Sequence, residues 1–117
     1  MAVDPNSGVI ELIDYAVVED CGNVVNPMIV DGQIVGGVAQ GIGTAIYEES
    51  PYDKYGQPLA TSFADYLLPG ATEVPEIKIG HMVTPAVHTK FGLKGMGEGG
   101  AIGNALRDAF ATTGAAW

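Results

Sequence analysis

The chain has 117 residues, 47% of them hydrophobic, which suits one small domain or a piece of a larger one. Its formal net charge of −9 argues against nucleic acid and anionic membrane as partners, because both would repel it. A single cysteine, Cys21, excludes an internal disulfide, and no basic segment followed by an apolar run opens the chain, so the expected compartment is the cytoplasm.

Asp4-Pro5-Asn6-Ser7-Gly8 is turn chemistry, with proline fixing φ and Asn and Gly tolerating the left-handed region. It predicts a hairpin whose first arm is only Met1-Ala2-Val3, as though the chain began inside a domain. Val9 to Glu19 is rich in β-branched residues and reads as one strand, ended by Asp20-Cys21-Gly22-Asn23. Asn26 is a good N-cap and Pro27 suits the first helical position, so a helix is expected from Pro27 to Glu49. Ile34, Val35, Val38, Ala39, Ile42, Ala45 and Ile46 keep helical spacing along it. Five glycines interrupt that helix: Gly32, Gly36, Gly37, Gly41 and Gly43. At roughly 1 kcal/mol each they cost about as much as a small domain's whole stability, so close packing against other backbone is expected to offset them. The apolar stretch is shorter than the ~18 residues of a membrane span and contains Gln40.

Ser50 to Pro58 reads as a surface connection. Ser62 to Leu68 is expected as a short strand stopped by Pro69-Gly70. Glu76 to Val83 alternates as a strand with Ile77 and Ile79 inward, and Pro85 ends it. A short helix is expected from Asn104 to Thr112. The fold class is α+β: a small mixed sheet, one long glycine-rich helix and a short C-terminal helix, in a single domain over residues 1–117.

Between the last two elements lies Gly92-Leu93-Lys94-Gly95-Met96-Gly97-Glu98-Gly99-Gly100-Ala101-Ile102-Gly103, one carboxylate among six glycines. Without a Cβ, such a loop can press its main chain against a bulky ligand, with Glu98 aimed at the ligand's reactive centre. The alternative is a glycine-rich turn into a helix. Gly95 to Gly100 also satisfies G-x-G-x-x-G, but the dinucleotide fingerprint needs a preceding strand and an acidic residue about 20 positions on. Here Pro85 and a Thr/His/Lys stretch precede the loop, and Glu98 would repel a pyrophosphate. Lys94 precedes the glycines, so no phosphate-binding Gly-Lys-Ser/Thr occurs. His81 and His88 lack zinc-ligand spacing, and no protein-held metal is expected. Cys21 is either a nucleophile or, more simply, packed. Gln40, within Ala39-Gln40-Gly41-Ile42-Gly43, is either a water-exposed amide or a donor to a polar ligand group, with Gly41 and Gly43 giving that ligand room.

Asp20-Cys21-Gly22, Asn26-Pro27, Gly32-Gln33, Gly36 to Gly43 and Tyr47-Glu48-Glu49 resemble the C-terminal part of molybdenum hydroxylase large subunits. Those subunits include xanthine dehydrogenase, aldehyde oxidoreductase and aerobic carbon monoxide dehydrogenase. Ser62-Phe63, Asp65 to Pro69, Val74 to Ile77 and Gly92 to Gly103 continue the match in order across nearly the whole chain. The resemblance implies that Glu98 is a general base taking the proton of a hydroxide held at molybdenum. It implies that Gln40 hydrogen-bonds the molybdopterin and that Gly41, Gly97 and Gly99 let the backbone lie against it. The implied reaction is oxidation of an aldehyde, a heterocycle or carbon monoxide with water as oxygen source. The implied partners are the rest of the subunit, iron–sulfur and FAD subunits and a small-molecule substrate. Because family subunits are several times longer, the isolated chain is expected to bind no cofactor and to be inactive. The rival expectation is a non-catalytic domain of that ancestry that self-associates into a homo-oligomer.

Overall fold

In the computed structural model the described residues are 1–97. They fall into two compact units, residues 1–38 with 75–97, and residues 39–74. The predicted helix at Asn104 to Thr112 lies outside the described residues.

The first unit opens with the expected hairpin. Strand β1 (Ala2–Val3) pairs antiparallel with β2 (Ile10–Glu11), Val3 opposite Ile10. The turn between them is closed by Asp4 N–H to Val9 O at 2.9 Å, and the Asp4 carboxylate accepts from Ser7 Oγ at 2.7 Å and Asn6 N–H at 2.9 Å. The single strand expected over Val9 to Glu19 is broken in two. Leu12 to Asp14 leave the hairpin, and β3 (Tyr15–Glu19) pairs parallel with β4 (Ile77–His81), Tyr15 opposite Ile77 and Glu19 opposite His81. The chain thus changes ladder over Leu12 to Asp14, from an antiparallel partner to a parallel one. Both strand senses are present, divided between two ladders. Ile77 and Ile79 are half-buried while Lys78 is exposed, as the alternation predicts.

Helix α1 (Pro27–Ile42) begins as expected: Asn26 Oδ1 accepts from Ile29 N–H at 3.3 Å, and Asn26 O takes the first helical bond from Val30 N–H at 3.1 Å. Ile34, Val38 and Ile42, four residues apart, form one fully buried stripe of the helix, and Cys21 is buried as well. The α-helical ladder ends seven residues before the expected Glu49. A π-helical turn, Gly43–Tyr47, follows and closes with Glu48 N–H on Gly43 O at 2.8 Å. Thr44 Oγ1 donates to Gln40 O at 3.1 Å, a side-chain competitor to the backbone ladder.

Close packing does not explain all the helix glycines. A Cβ on Gly43 would meet Pro69 Cδ at 2.9 Å, but one on Gly32 or Gly36 would meet no atom within 4 Å. Those two glycines weaken α1 with no close contact to offset the loss among the described residues.

In the second unit, Asp53 Oδ1 holds the Ser50–Pro58 connection by accepting from Tyr55 N–H at 2.8 Å and Gln57 N–H at 2.9 Å. The strand expected over Ser62 to Leu68 is instead a turn: Tyr66 N–H reaches Ser62 O at 2.8 Å, and Ser62 Oγ bonds Asp65 Oδ2 at 3.0 Å. The Ser-x-x-Asp spacing satisfies a local helical turn, and that local bonding prevails over β propensity. No helix among the described residues is long and apolar enough to cross a membrane.

Candidate functional site

The described part of the glycine loop, residues 92–97, is tied to the Asp20–Asn23 turn at the end of β3. Gly22 has φ +71° and Gly92 has φ +70°, a conformation that glycine adopts without cost. The two glycines also face each other. A Cβ on Gly22 would overlap Gly92 O, and one on Gly92 would meet Pro85 Cβ at 2.8 Å. Main chain therefore packs directly on main chain. Gly22 bridges Leu93, Lys94 N–H donates to Cys21 O at 2.9 Å, and Gly92 O accepts from Asn23 N–H at 3.2 Å and Ala86 N–H at 3.1 Å. Asn23 Nδ2 donates to Phe91 O at 2.6 Å, bracing a residue that holds φ +66° without being glycine.

Asp20 joins the segments by its side chain. Its carboxylate accepts from Gly22 N–H at 2.9 Å, Thr84 N–H at 3.2 Å, Lys94 Nζ at 2.7 Å and Thr84 Oγ1. The Lys94 ammonium, then the Thr84 hydroxyl and the Gly22 N–H, hold the Asp20 carboxyl well below the usual carboxylate range. Three segments, the end of β3, the stretch after β4 and the glycine loop, thus meet at one carboxylate. Further along, Gln33 on α1 donates its Nε2 to Gly97 O at 3.0 Å.

Among the residues singled out in the sequence, Gly97 stands at the end of this braced loop. Gln40 is exposed on the last turn of α1, and Gly41 beside it is half-buried. Gln40 belongs to the second unit and Gly97 to the first. Glu98 and Gly99 lie outside the described residues. Cys21 is packed, without a partner that would activate a thiol among the described residues. Among those residues no three His, Cys, Asp or Glu side chains converge to hold a metal ion. An open groove of about 440 Å³ in the second unit, lined by Ala60, Thr61, Ser62, Phe63 and Tyr66, contains none of the predicted site residues.

Gly95 and Gly97 differ in kind from Gly22 and Gly92. Neither lies in the left-handed region, and a Cβ on either would meet nothing within 4 Å among the described residues. The folding of the described residues does not demand glycine at these two positions. They leave open space beside a stretch of braced main chain, the cradle that a large ligand lying against the loop requires. Within the first unit, bare main chain at 95 and 97 fits an organic cofactor such as a molybdopterin lying against the loop.

Asp20, Thr84, Lys94 and Gln33 were not legible as a constellation. Lys94 lies 74 residues from Asp20, and Gln33 lies 64 from Gly97. The available signal was that Lys94 interrupts the glycine run, and that Asp20 and Gln33 fall inside the matched motifs.

The family model of the Molybdopterin cofactor-binding domain matches residues 1–75. The nicotine 6-hydroxylase large subunit of Paenarthrobacter nicotinovorans is 44% identical over 118 residues, covering 96% of this chain and 14% of that protein. The carbon monoxide dehydrogenase large chain of Afipia carboxidovorans is 38% identical over 117 residues, covering 95% of this chain and 14% of its own length. The crystal structure of the Cu,Mo-CO dehydrogenase in its carbon monoxide reduced state superposes with a TM-score of 0.87 at 38% identity, covering 94% of this chain and 15% of that one. The chain therefore spans about a seventh of the length of the relatives it matches.

Proposed function

The chain belongs to the molybdopterin cofactor-binding domain family, and from that premise we propose that it is the segment of a hydroxylase large subunit that supplies the general base and one cofactor-binding amide. The observation that carries this reading is the pair Gly95 and Gly97, bare main chain beside open space that follows a loop entry pinned at Gly92 and Lys94.

When bound, the molybdenum cofactor supplies the oxidising centre, which takes two electrons from the substrate carbon. The protein's residues do the rest. Glu98 holds a carboxylate next to the bare loop and accepts a proton from the water-derived nucleophile. A carboxylate enclosed away from bulk water is destabilised as its anion, which favours its acting as a base. The amide of Gln40 hydrogen-bonds a polar atom of the cofactor and orients it. Gly41, Gly97 and Gly99 admit the cofactor to within contact of the main chain. The Asp20–Lys94 pair and the Gly22–Gly92 contact hold the loop's entry fixed, so that orientation is settled before substrate arrives.

The substrate is a small molecule with an electrophilic carbon: an aldehyde, a heterocycle or carbon monoxide. The named relatives are large subunits or large chains. That naming supports a multi-subunit assembly here, with the remainder of the large subunit enclosing the cofactor and iron–sulfur and FAD partners carrying electrons away. Val18, Phe63 and Tyr55, exposed at 62, 77 and 82%, are apolar surface suited to burial against the remainder of that subunit.

The test is Glu98→Gln in the complete, cofactor-loaded enzyme. Turnover should fall by at least about a hundredfold, the lower range for loss of a general base. Molybdenum content by elemental analysis should not change. Turnover retained at wild-type level would refute the base assignment.

A further inference from the structure

We propose that Gln33 is a positioning residue for the base, acting from α1 on the peptide unit that leads into Glu98. The inference rests on the assignment of Glu98 made above. Gln33 Nε2 donates to Gly97 O at 3.0 Å. That carbonyl shares a planar peptide group with the nitrogen of Glu98, so fixing its direction fixes the plane from which Glu98 departs.

The loop needs this second anchor. The nearest backbone tether upstream is Lys94 N–H on Cys21 O at 2.9 Å. Between it and the base stand Gly95, Met96 and Gly97. Two glycines in three residues leave the widest range of backbone conformations, and ordering them costs more entropy than ordering any other residues. The open space that lets a cofactor approach is also what would let the base wander. The Gln33 amide removes that freedom without occupying the space.

The choice of side chain follows from the chemistry of its neighbour. A lysine or arginine could also donate to Gly97 O, but its charge would stabilise the Glu98 anion and lower its basicity. A primary amide donates while remaining neutral. Gln33 is exposed on α1 and outside the buried stripe of Ile34, Val38 and Ile42, so core packing does not account for it. Alanine is a better helix former than glutamine, so its removal leaves the helix intact.

The experiment compares Gln33→Ala, Gln33→Glu and Glu98→Gln with the wild type in the complete enzyme. Both Gln33 variants should keep full molybdenum content and a KM within about twofold of the wild type. Their kcat should fall by about tenfold to a hundredfold, as expected when a reacting group is misplaced by an ångström or so. In the cofactor-free enzyme, hydrogen exchange of the 92–97 segment should be several-fold faster in both variants. The pH profiles should then separate them. A glutamate side chain cannot donate when ionised, but it donates again once protonated near its ordinary pKa of about 4.3. The kcat of Gln33→Glu relative to wild type should therefore rise several-fold from pH 8 to pH 5, while that of Gln33→Ala stays flat. Wild-type kcat in both Gln33 variants would overturn the inference, as would loss of molybdenum with unchanged kcat per molybdenum. If those results accompany a dead Glu98→Gln, the base assignment stands and only the role of Gln33 falls. An active Glu98→Gln removes the base assignment itself.

Discussion

Replacing Gly22 by alanine tests whether the loop is held by main chain packed on main chain. The residue has φ +71°, which costs an alanine about 1 kcal/mol. Its new Cβ would overlap Gly92 O and stand 3.2 Å from both Gly92 C and Lys94 N. All three are backbone atoms, so no side chain can rotate away and the two segments must separate. Separation breaks Lys94 N–H to Cys21 O and Asn23 N–H to Gly92 O, each worth about 1 kcal/mol. Together these come to about 3 kcal/mol of local stability, or roughly a hundredfold more frequent opening. Native-state hydrogen exchange of residues 92–97 in the complete subunit reads that opening directly. Gly8→Ala is the internal control: its φ is +73°, but its Cβ would meet nothing within 4 Å. It carries the same conformational cost at a hairpin turn and should leave exchange at 92–97 unchanged. If Gly22→Ala exchanged like Gly8→Ala, steric contact between the two segments would not be what holds the loop.

Two further substitutions probe the same brace. Asp20→Asn removes the charge that holds Lys94 and should speed exchange of the loop several-fold. Because the folded Asp20 carboxyl sits below its unfolded value of about 3.9, its contribution is complete above that value and is lost only as pH falls through the depressed one. The ratio of variant to wild-type exchange should thus be constant from pH 8 to pH 5 and approach unity only on the acid side of about pH 4; a collapse near pH 6 would mean Asp20 is not paired as described. Asn23→Ala removes the 2.6 Å bond to Phe91 O and should cost about 1 kcal/mol, a roughly fivefold rise in exchange of residues 89–92. Unchanged exchange there would show that Phe91 holds its left-handed conformation unaided.

What could be read from the sequence was what local chemistry decides. The start of α1 was legible because Asn26 and Pro27 act within one turn of themselves, and the hairpin because Asp4 to Gly8 close on their own backbone. The strand at Ile77–His81 was legible from alternation alone. The failures lie where a local preference met a competitor. Ser62 and Asp65 bond each other within four residues and turn the chain, although Phe63, Tyr66, Leu67 and Leu68 favour a strand. Helix α1 gives way to a π turn at Gly43, where Thr44 Oγ1 bonds Gln40 O and Glu48 N–H bonds Gly43 O in competition with the α-helical ladder. The stretch from Val9 to Glu19 has uniform β character, and nothing in its composition marks Leu12 to Asp14 as the place where it changes partner.

The glycine loop shows why the candidate site was only half legible. Gly92, Gly95 and Gly97 are the same letter in one motif, yet the structure assigns them opposite reasons. At Gly92 a side chain would collide with Pro85 and Asn23, so the fold excludes any other residue. At Gly95 and Gly97 a Cβ would meet nothing within 4 Å among the described residues. Gly32 and Gly36 are equally bare in α1; bareness at 95 and 97 bears on a ligand because these two lead into Glu98 and the surrounding main chain is held still. Asp20, Lys94, Asn23 and Gln33 supply that condition. Bare main chain on a fixed support, together with the family likeness, is what favours the proposed ligand at this loop.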